Sequence, residues 1–166
     1  MLRWMLYRLA SETPDYAADD LSGAGAATTG GRWNAIGFPI VYCARSRALA
    51  YLETLAHLKP ALAPGIPPPK NLCLIEISVP NTVWAKRQVA QKDPKFPGGW
   101  NVHPSGKGSV GYGTAWLVTR ASALLVVPSV VVPAEENVLI NPLHSDAKTI
   151  TAINTGQWQY DQRLFS

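Results

Sequence analysis

Four side chains of this sequence have chemistry to offer: Arg32 behind the pair Gly30-Gly31, then Tyr42, Glu53 and, much later, Ser129. Glycines open backbone angles closed to other residues and let a ligand approach the main chain. Arg32 therefore leaves a tight turn as a fixed cation, and its natural partner is an anion. Tyr42 brings an aromatic face and a phenol. Glu53 brings a carboxylate, the group that can offset positive charge developing on a substrate.

These groups need elements to hold them. Gly37 and Pro39 punctuate the chain, and Ile40, Val41, Tyr42 and Cys43 then form a brief apolar run of the kind a buried strand shows. Ser46 is a good N-cap, and Ala48, Leu49, Leu52, Leu55 and Ala56 recur at helical spacing, which predicts a helix over 46–58. At about 100° per residue Glu53 lies about 40° from Leu49, so it borders the apolar stripe. A carboxylate there is either paired, with His57 at i+4 or an arginine, or used. Glu76 is a rival that ranks lower, because no glycine-rich turn or aromatic residue accompanies it. The run ALLVVPSVVVP is the strongest strand signal. Pro128 cannot donate to a ladder, so the run is two short strands or one bent at Pro128-Ser129, which turns the Ser129 hydroxyl out of the pairing plane.

The remaining chain reads as follows. A strand over 5–10 sets Tyr7 and Arg8 on opposite faces; Arg8 is either a second cation of the site or a solvated charge at a sheet end. The stretch 11–29 is expected as a long loop, a lid or ligand-facing wall. KPALAPGIPPPKN is a rigid proline-dense spacer. A buried strand follows over 72–79. Surface loop with at most one short helix is expected over 81–108, where GKGS lacks the full phosphate-loop pattern. Thr114 is expected to cap a helix to about residue 121. Asn137 and Asn141 are expected to hold the turn at Asn141-Pro142 through side-chain bonds to backbone, and 149–165 to add edge strands. The sum is a mixed α+β domain on a bent β core.

Composition sets bounds. The 166 residues, 47% hydrophobic, favour one domain, 1–166, with a real core. MLRWMLYRLA reads as a first strand and not a signal peptide, and no stretch reaches transmembrane length, so a cytoplasmic location is expected with no membrane partner. The two cysteines lie in apolar runs and the three histidines have no ligand-spaced companions, so no metal is expected. The net charge of +4 is dispersed, without a basic and aromatic stripe. It suits a polyphosphate-bearing small molecule or an acidic protein partner better than direct nucleic-acid contact.

GGRWN at 30–34, VYCA at 41–44, ALAYLETLAH at 48–57, VPSVVVP at 127–133 and EENVLINPLH at 135–144 together resemble the RES domain, the toxin half of RES–Xre toxin–antitoxin pairs. The Arg, Glu and Ser that give the family its name map onto Arg32, Glu53 and Ser129, and Tyr42 matches a fourth polar site residue; the segment 61–108 matches nothing. The resemblance implies a fold similar to ADP-ribosyltransferase toxins, with two small sheets and flanking helices. It implies NAD as substrate, held in the cleft between the sheets. It also implies an Xre-family antitoxin whose tail covers the cleft, and it leaves room for a homodimer. In that frame Arg32, Tyr42, Glu53 and Ser129 are catalytic, and Arg8, Gly31, Arg32, Tyr42 and Asn141 bind substrate. Cleavage of the nicotinamide–ribose bond creates an oxocarbenium-like centre that Glu53 would stabilise. Arg32 would hold a phosphate or orient Glu53, Tyr42 would face the nicotinamide ring, and Ser129 would contact ribose or carboxamide. With water or phosphate as acceptor the outcome is NAD depletion, the favoured expectation; with a protein side chain it is ADP-ribosyl transfer. The rivals are an RNA-directed toxin using Arg32, His57 and His144, and a non-catalytic binding module.

Overall fold

The computed structural model describes residues 2–58 and 69–165; most of the proline-dense spacer lies outside them. The β-branched and apolar runs become strands β1 (Arg3–Ser11), β2 (Val41–Ala44), β3 (Leu72–Pro80), β4 (Gln88–Val89), β5 (Leu124–Pro128), β6 (Glu136–Ile140) and β7 (Thr151–Gln157). Hydrogen bonds join them into one seven-stranded sheet in the order β4-β5-β6-β2-β1-β3-β7, antiparallel except for the β4–β5 pair. The expected α+β class holds. The expected pair of small sheets survives as two halves of that sheet, because β1 meets β2 through the single register pair Tyr7–Ala44. On either side the ladders are longer, running from Arg3–Pro80 to Ser11–Leu72 between β1 and β3 and from Val41–Ile140 to Ala44–Asn137 between β2 and β6.

Alternation along the strands creates two apolar faces. Leu6, Val41, Cys43, Ile75, Ile77, Val79, Leu124, Val126, Val138 and Ile140 form one core, closed by Val83 and Trp84 of the short helix α3 (Asn81–Ala85). On the other face Ile40, Leu125, Val127 and Leu139 pack with Trp33 and with Trp116 and Leu117 of α4 (Lys107–Thr119). The same face carries α2 (Arg47–Leu58), whose Leu49 and Ala50 cluster with Ala44 and Tyr7. A further helix, α1 (Ala24–Thr29), stands in the stretch expected as loop.

The expected boundary of the last long helix was too late. α4 begins at Lys107, inside the polar tract expected as loop, and Thr114 lies mid-helix with its Oγ1 accepting a hydrogen bond from the Ala35 amide at 3.0 Å. Glycine content hid the helix. A Cβ at Gly113 would come within 2.0 Å of the Trp33 carbonyl oxygen, so the glycine is there for the close approach of the 31–34 turn and not for a loop. By contrast α2 starts where expected, with the Ser46 hydroxyl accepting from the Leu49 amide at 3.1 Å.

Candidate active site

The turn at 30–34 is built around Tyr42. Its hydroxyl accepts a hydrogen bond from the Trp33 amide at 3.0 Å and donates to Asn34 Oδ1 at 2.8 Å. Buried Asn34 completes the lock by donating from Nδ2 to the Ala26 and Phe38 carbonyls at 2.8 and 2.9 Å. Burial pushes the Tyr42 phenol up to about 12, against the opposing pull of the Trp33 amide and the Arg32 charge. It is therefore a neutral clamp at physiological pH. Gly31 fits beneath it, since a Cβ there would stand 2.6 Å from Tyr42 Oη.

Arg32 leaves this turn toward the segment after α3. Its Nη1 donates to the Trp100 and Val102 carbonyls at 2.7 and 2.8 Å, while Nη2 and Nε have no hydrogen-bond partner among the described residues. Trp33, Phe96, Trp100 and Tyr112 form an aromatic wall beside it, with ring centroids 5.7 to 6.4 Å apart.

Glu53, half-buried on α2, is the focus of a second network. Its Oε1 accepts from the Ser129 hydroxyl at 2.7 Å and from Asn137 Nδ2 at 2.5 Å. Ser129 is fully buried at the turn after β5. Its amide donates to the Glu135 carbonyl at 3.0 Å, and its oxygen accepts from the Val132 amide at 2.9 Å. Thus the bend expected at Pro128-Ser129 is a strand end, followed by a tight turn that aims the hydroxyl at Glu53. Glu135 ties the same turn to the start of α2 by accepting from the Ser46 hydroxyl at 3.2 Å, and Arg45 pairs with Glu136 at 3.0 Å. A cavity of about 370 Å³ lined by Arg45, Pro128, Pro133, Glu135 and Glu136 borders it.

Register relates the two networks. Tyr42 opposes Leu139 and Ala44 opposes Asn137, so Tyr42 and Asn137 are diagonal neighbours on the face that α2 covers. Arg32 has no bond to Glu53; Ser129 and Asn137 orient that carboxylate instead. Arg8 shares the strand face of Leu6 and Ala10 and pairs with Ile75, which puts it on the opposite face from Tyr42, its Nη1 donating to the Asp20 carbonyl at 3.4 Å. Asn141 is fully buried, and its amide bridges the Leu117 carbonyl (3.0 Å) and the Leu143 amide (3.1 Å), the turn-holding role. Asn137 departs from that role, because its side chain serves Glu53. The rival carboxylate Glu76 is paired with Arg47.

The histidines do not assemble an acid–base pair. His57 Nδ1 donates to the Glu53 main-chain carbonyl at 2.7 Å, and His144 Nδ1 accepts from the Asp146 amide at 3.0 Å as a local cap. Among the described residues no group of three His, Cys, Asp or Glu side chains could hold a metal ion, and no helix is long and apolar enough to cross a membrane. A second groove, of about 670 Å³, runs along the outer face of α4 and contains none of these site residues.

Residues 5–162 match the model of the RES domain. The chain is 49% identical over 158 residues to the Prs ADP-ribosylating toxin of Sphingobium sp. (strain YBL2), covering 95% of this chain and 94% of that protein. It is 35% identical over 161 residues to Toxin Res of Yersinia enterocolitica serotype O:8, covering 96% and 99%. The toxin–antitoxin complex MbcT–MbcA of M. tuberculosis contains a chain similar in fold, at a TM-score of 0.66 and 17% identity, covering 99% of this chain and 87% of that one. The family model and these relatives match over nearly the whole length, and this chain belongs to the RES domain family.

Proposed function

We propose that this chain is a toxin that uses NAD as an ADP-ribosyl donor, with Glu53 as the catalytic carboxylate. The observation that carries the reading is the clamp on Glu53: Oε1 takes two hydrogen bonds from the β5–β6 region, and Oε2 has no partner among the described residues. Heterolysis of the bond between the nicotinamide nitrogen and ribose C1′ sends the electron pair to nicotinamide, which leaves neutral. Positive charge then develops on the ribose ring. A carboxylate held in place before the reaction stabilises that charge without reorganising.

Arg32 fits the pyrophosphate, because two of its nitrogens remain open to an anion. Tyr42, on the same sheet face as Asn137, offers its ring to the nicotinamide. The name of the Sphingobium relative favours a protein side chain as acceptor for this chain also. With water or phosphate the same first step depletes NAD. The toxin–antitoxin title of the structural neighbour supports an antitoxin partner here, and the net charge of +4 suits an Xre-type protein with an acidic tail.

The test is nicotinamide release from NAD by the purified chain and by Glu53→Gln. The substitution keeps shape and removes charge, so release at saturating NAD is expected to fall about 10²-fold or more, equivalent to about 2.7 kcal/mol of barrier. The melting temperature is expected to stay within a few degrees. Wild-type release by folded Glu53→Gln would remove Glu53 from the mechanism.

A further inference from the structure

Asn137 occupies a place where an amide is costly. It stands on β6 between Ala44 of β2 and Val127 of β5, followed by the fully buried run Val138, Leu139 and Ile140. Buried amides ordinarily satisfy both ends. Here Nδ2 donates to Glu53 Oε1, while Oδ1 is buried with no hydrogen-bond partner. An orphaned buried acceptor is unfavourable, because it has given up water and gained nothing in return. A valine or leucine suits a strand of this kind and carries no such cost. Exchanging the two ends of the amide gives no relief, since Oδ1 would then face Oε1, acceptor against acceptor. What the amide supplies, and an apolar residue cannot, is a neutral N–H donor aimed at the carboxylate.

The second donor explains the arrangement. The terminal torsion of a glutamate is broad, so one hydrogen bond restrains the carboxylate only in part. Ser129 and Asn137 reach the same oxygen from two different elements, the turn after β5 and the second position of β6. We propose that Asn137 is a positioning residue for the reaction. With Ser129 it pins Oε1 so that Glu53 presents Oε2, and its polarity in the strand serves that purpose and not the fold. The inference rests on Glu53 being the catalytic carboxylate, as proposed above.

The experiment compares nicotinamide release, KM for NAD and melting temperature for the full chain, Asn137→Leu, Ser129→Ala and the double variant, with Glu53→Gln in parallel. Asn137→Leu is expected to lower kcat about 10-fold, to change KM less than about threefold, and to leave the melting temperature unchanged or raised. Asn137→Thr fits a strand and is too short to reach Glu53, so it carries the same kcat expectation should the leucine variant not fold. The double variant is expected to lose more than the product of the single losses, because either donor alone still restrains the carboxylate. Wild-type kcat in Asn137→Leu or Asn137→Thr overturns the proposal. So does a kcat loss accompanied by a melting temperature several degrees lower in both. The Glu53→Gln arm separates the two levels. If that variant releases nicotinamide normally, the functional reading itself has failed; if it is inactive while the Asn137 variants are not, only the positioning role has.

Discussion

Gly31 shows how closely the residues of this site interlock. An added Cβ would stand 2.6 Å from Tyr42 Oη and 3.0 Å from Asn34 Oδ1, and the phenol cannot retreat without giving up its bonds to Trp33 and Asn34. Gly31→Ala is therefore expected to destabilise the fold by about 1–3 kcal/mol through overpacking. Adding Tyr42→Phe removes the clashing oxygen, so the double variant is expected to melt higher than the sum of the two single effects predicts. Strict additivity in thermal melts would sink the argument. The sequence made Gly31 legible as a point of close approach, and in the structure the group that approaches its Cβ position is Tyr42. Arg32, Tyr42, Glu53 and Ser129 were candidates by type, by order and by the family resemblance, and the structure holds Glu53 and Ser129 in one network. Asn34 and Asn137 were not, because asparagine near a turn reads as a local backbone partner, and nothing in a linear pattern tells which asparagine reaches across to Tyr42 or Glu53.

Among the elements, α2 was readable because an N-cap serine and an apolar stripe at helical spacing agree. α4 was misread for the opposite reason. Its first half, KGSVGYG, has the composition of a loop, and its apolar residues are distributed around the helix and not gathered on one side. The glycines have different reasons for being there, which a pair of substitutions can separate. Gly113 abuts the Trp33 carbonyl, with a Cβ position 2.0 Å from that oxygen, whereas nothing lies within 4 Å of a Cβ at Gly111. Gly113→Ala must push the 31–34 turn away from α4, so it is expected to cost more than about 2 kcal/mol and, under the proposed function, to weaken NAD binding by displacing Arg32. Gly111→Ala, on the exposed side of the same helix, is expected to stabilise by about 0.5–1 kcal/mol through helix propensity. Chemical denaturation with NAD titration checks both, and equal effects at the two positions would contradict the packing account.

For the whole molecule, burial of protonatable groups sets an alkaline limit. Burial pushes the Cys43 thiol from 9.0 up to about 12, and the Tyr42 and Tyr160 phenols from 10.0 up to about 12. Each group is neutral when protonated and its folded value is raised, so the stability it contributes is complete below pH 9 and is lost as pH climbs toward 12. One such group adds a slope of about 1.4 kcal/mol per pH unit in that window. Stability measured in urea from pH 8 to 11 is expected to fall increasingly steeply, and Cys43→Val to lessen the slope by about one proton; an unchanged slope would count against burial of the thiol as the cause. The α+β class was visible in the sequence, whereas the single sheet with a one-pair seam was not, since pairing between distant strands leaves no mark on either alone. That seam has a splint. Leu49 and Ala50 of α2 pack on Ala44 of β2 and Tyr7 of β1, and Arg47 lies 4.6 Å over the Tyr7 ring while pairing with Glu76 of β3. The helix that carries Glu53 thus also fastens the two halves of the sheet. Under the proposed toxin function, this shapes the spontaneous mutants that escape growth arrest. Lesions that loosen α2 part the sheet and yield protein that cells degrade, so escapees that still accumulate the folded protein fall on the few side chains that touch Glu53 or the ligand.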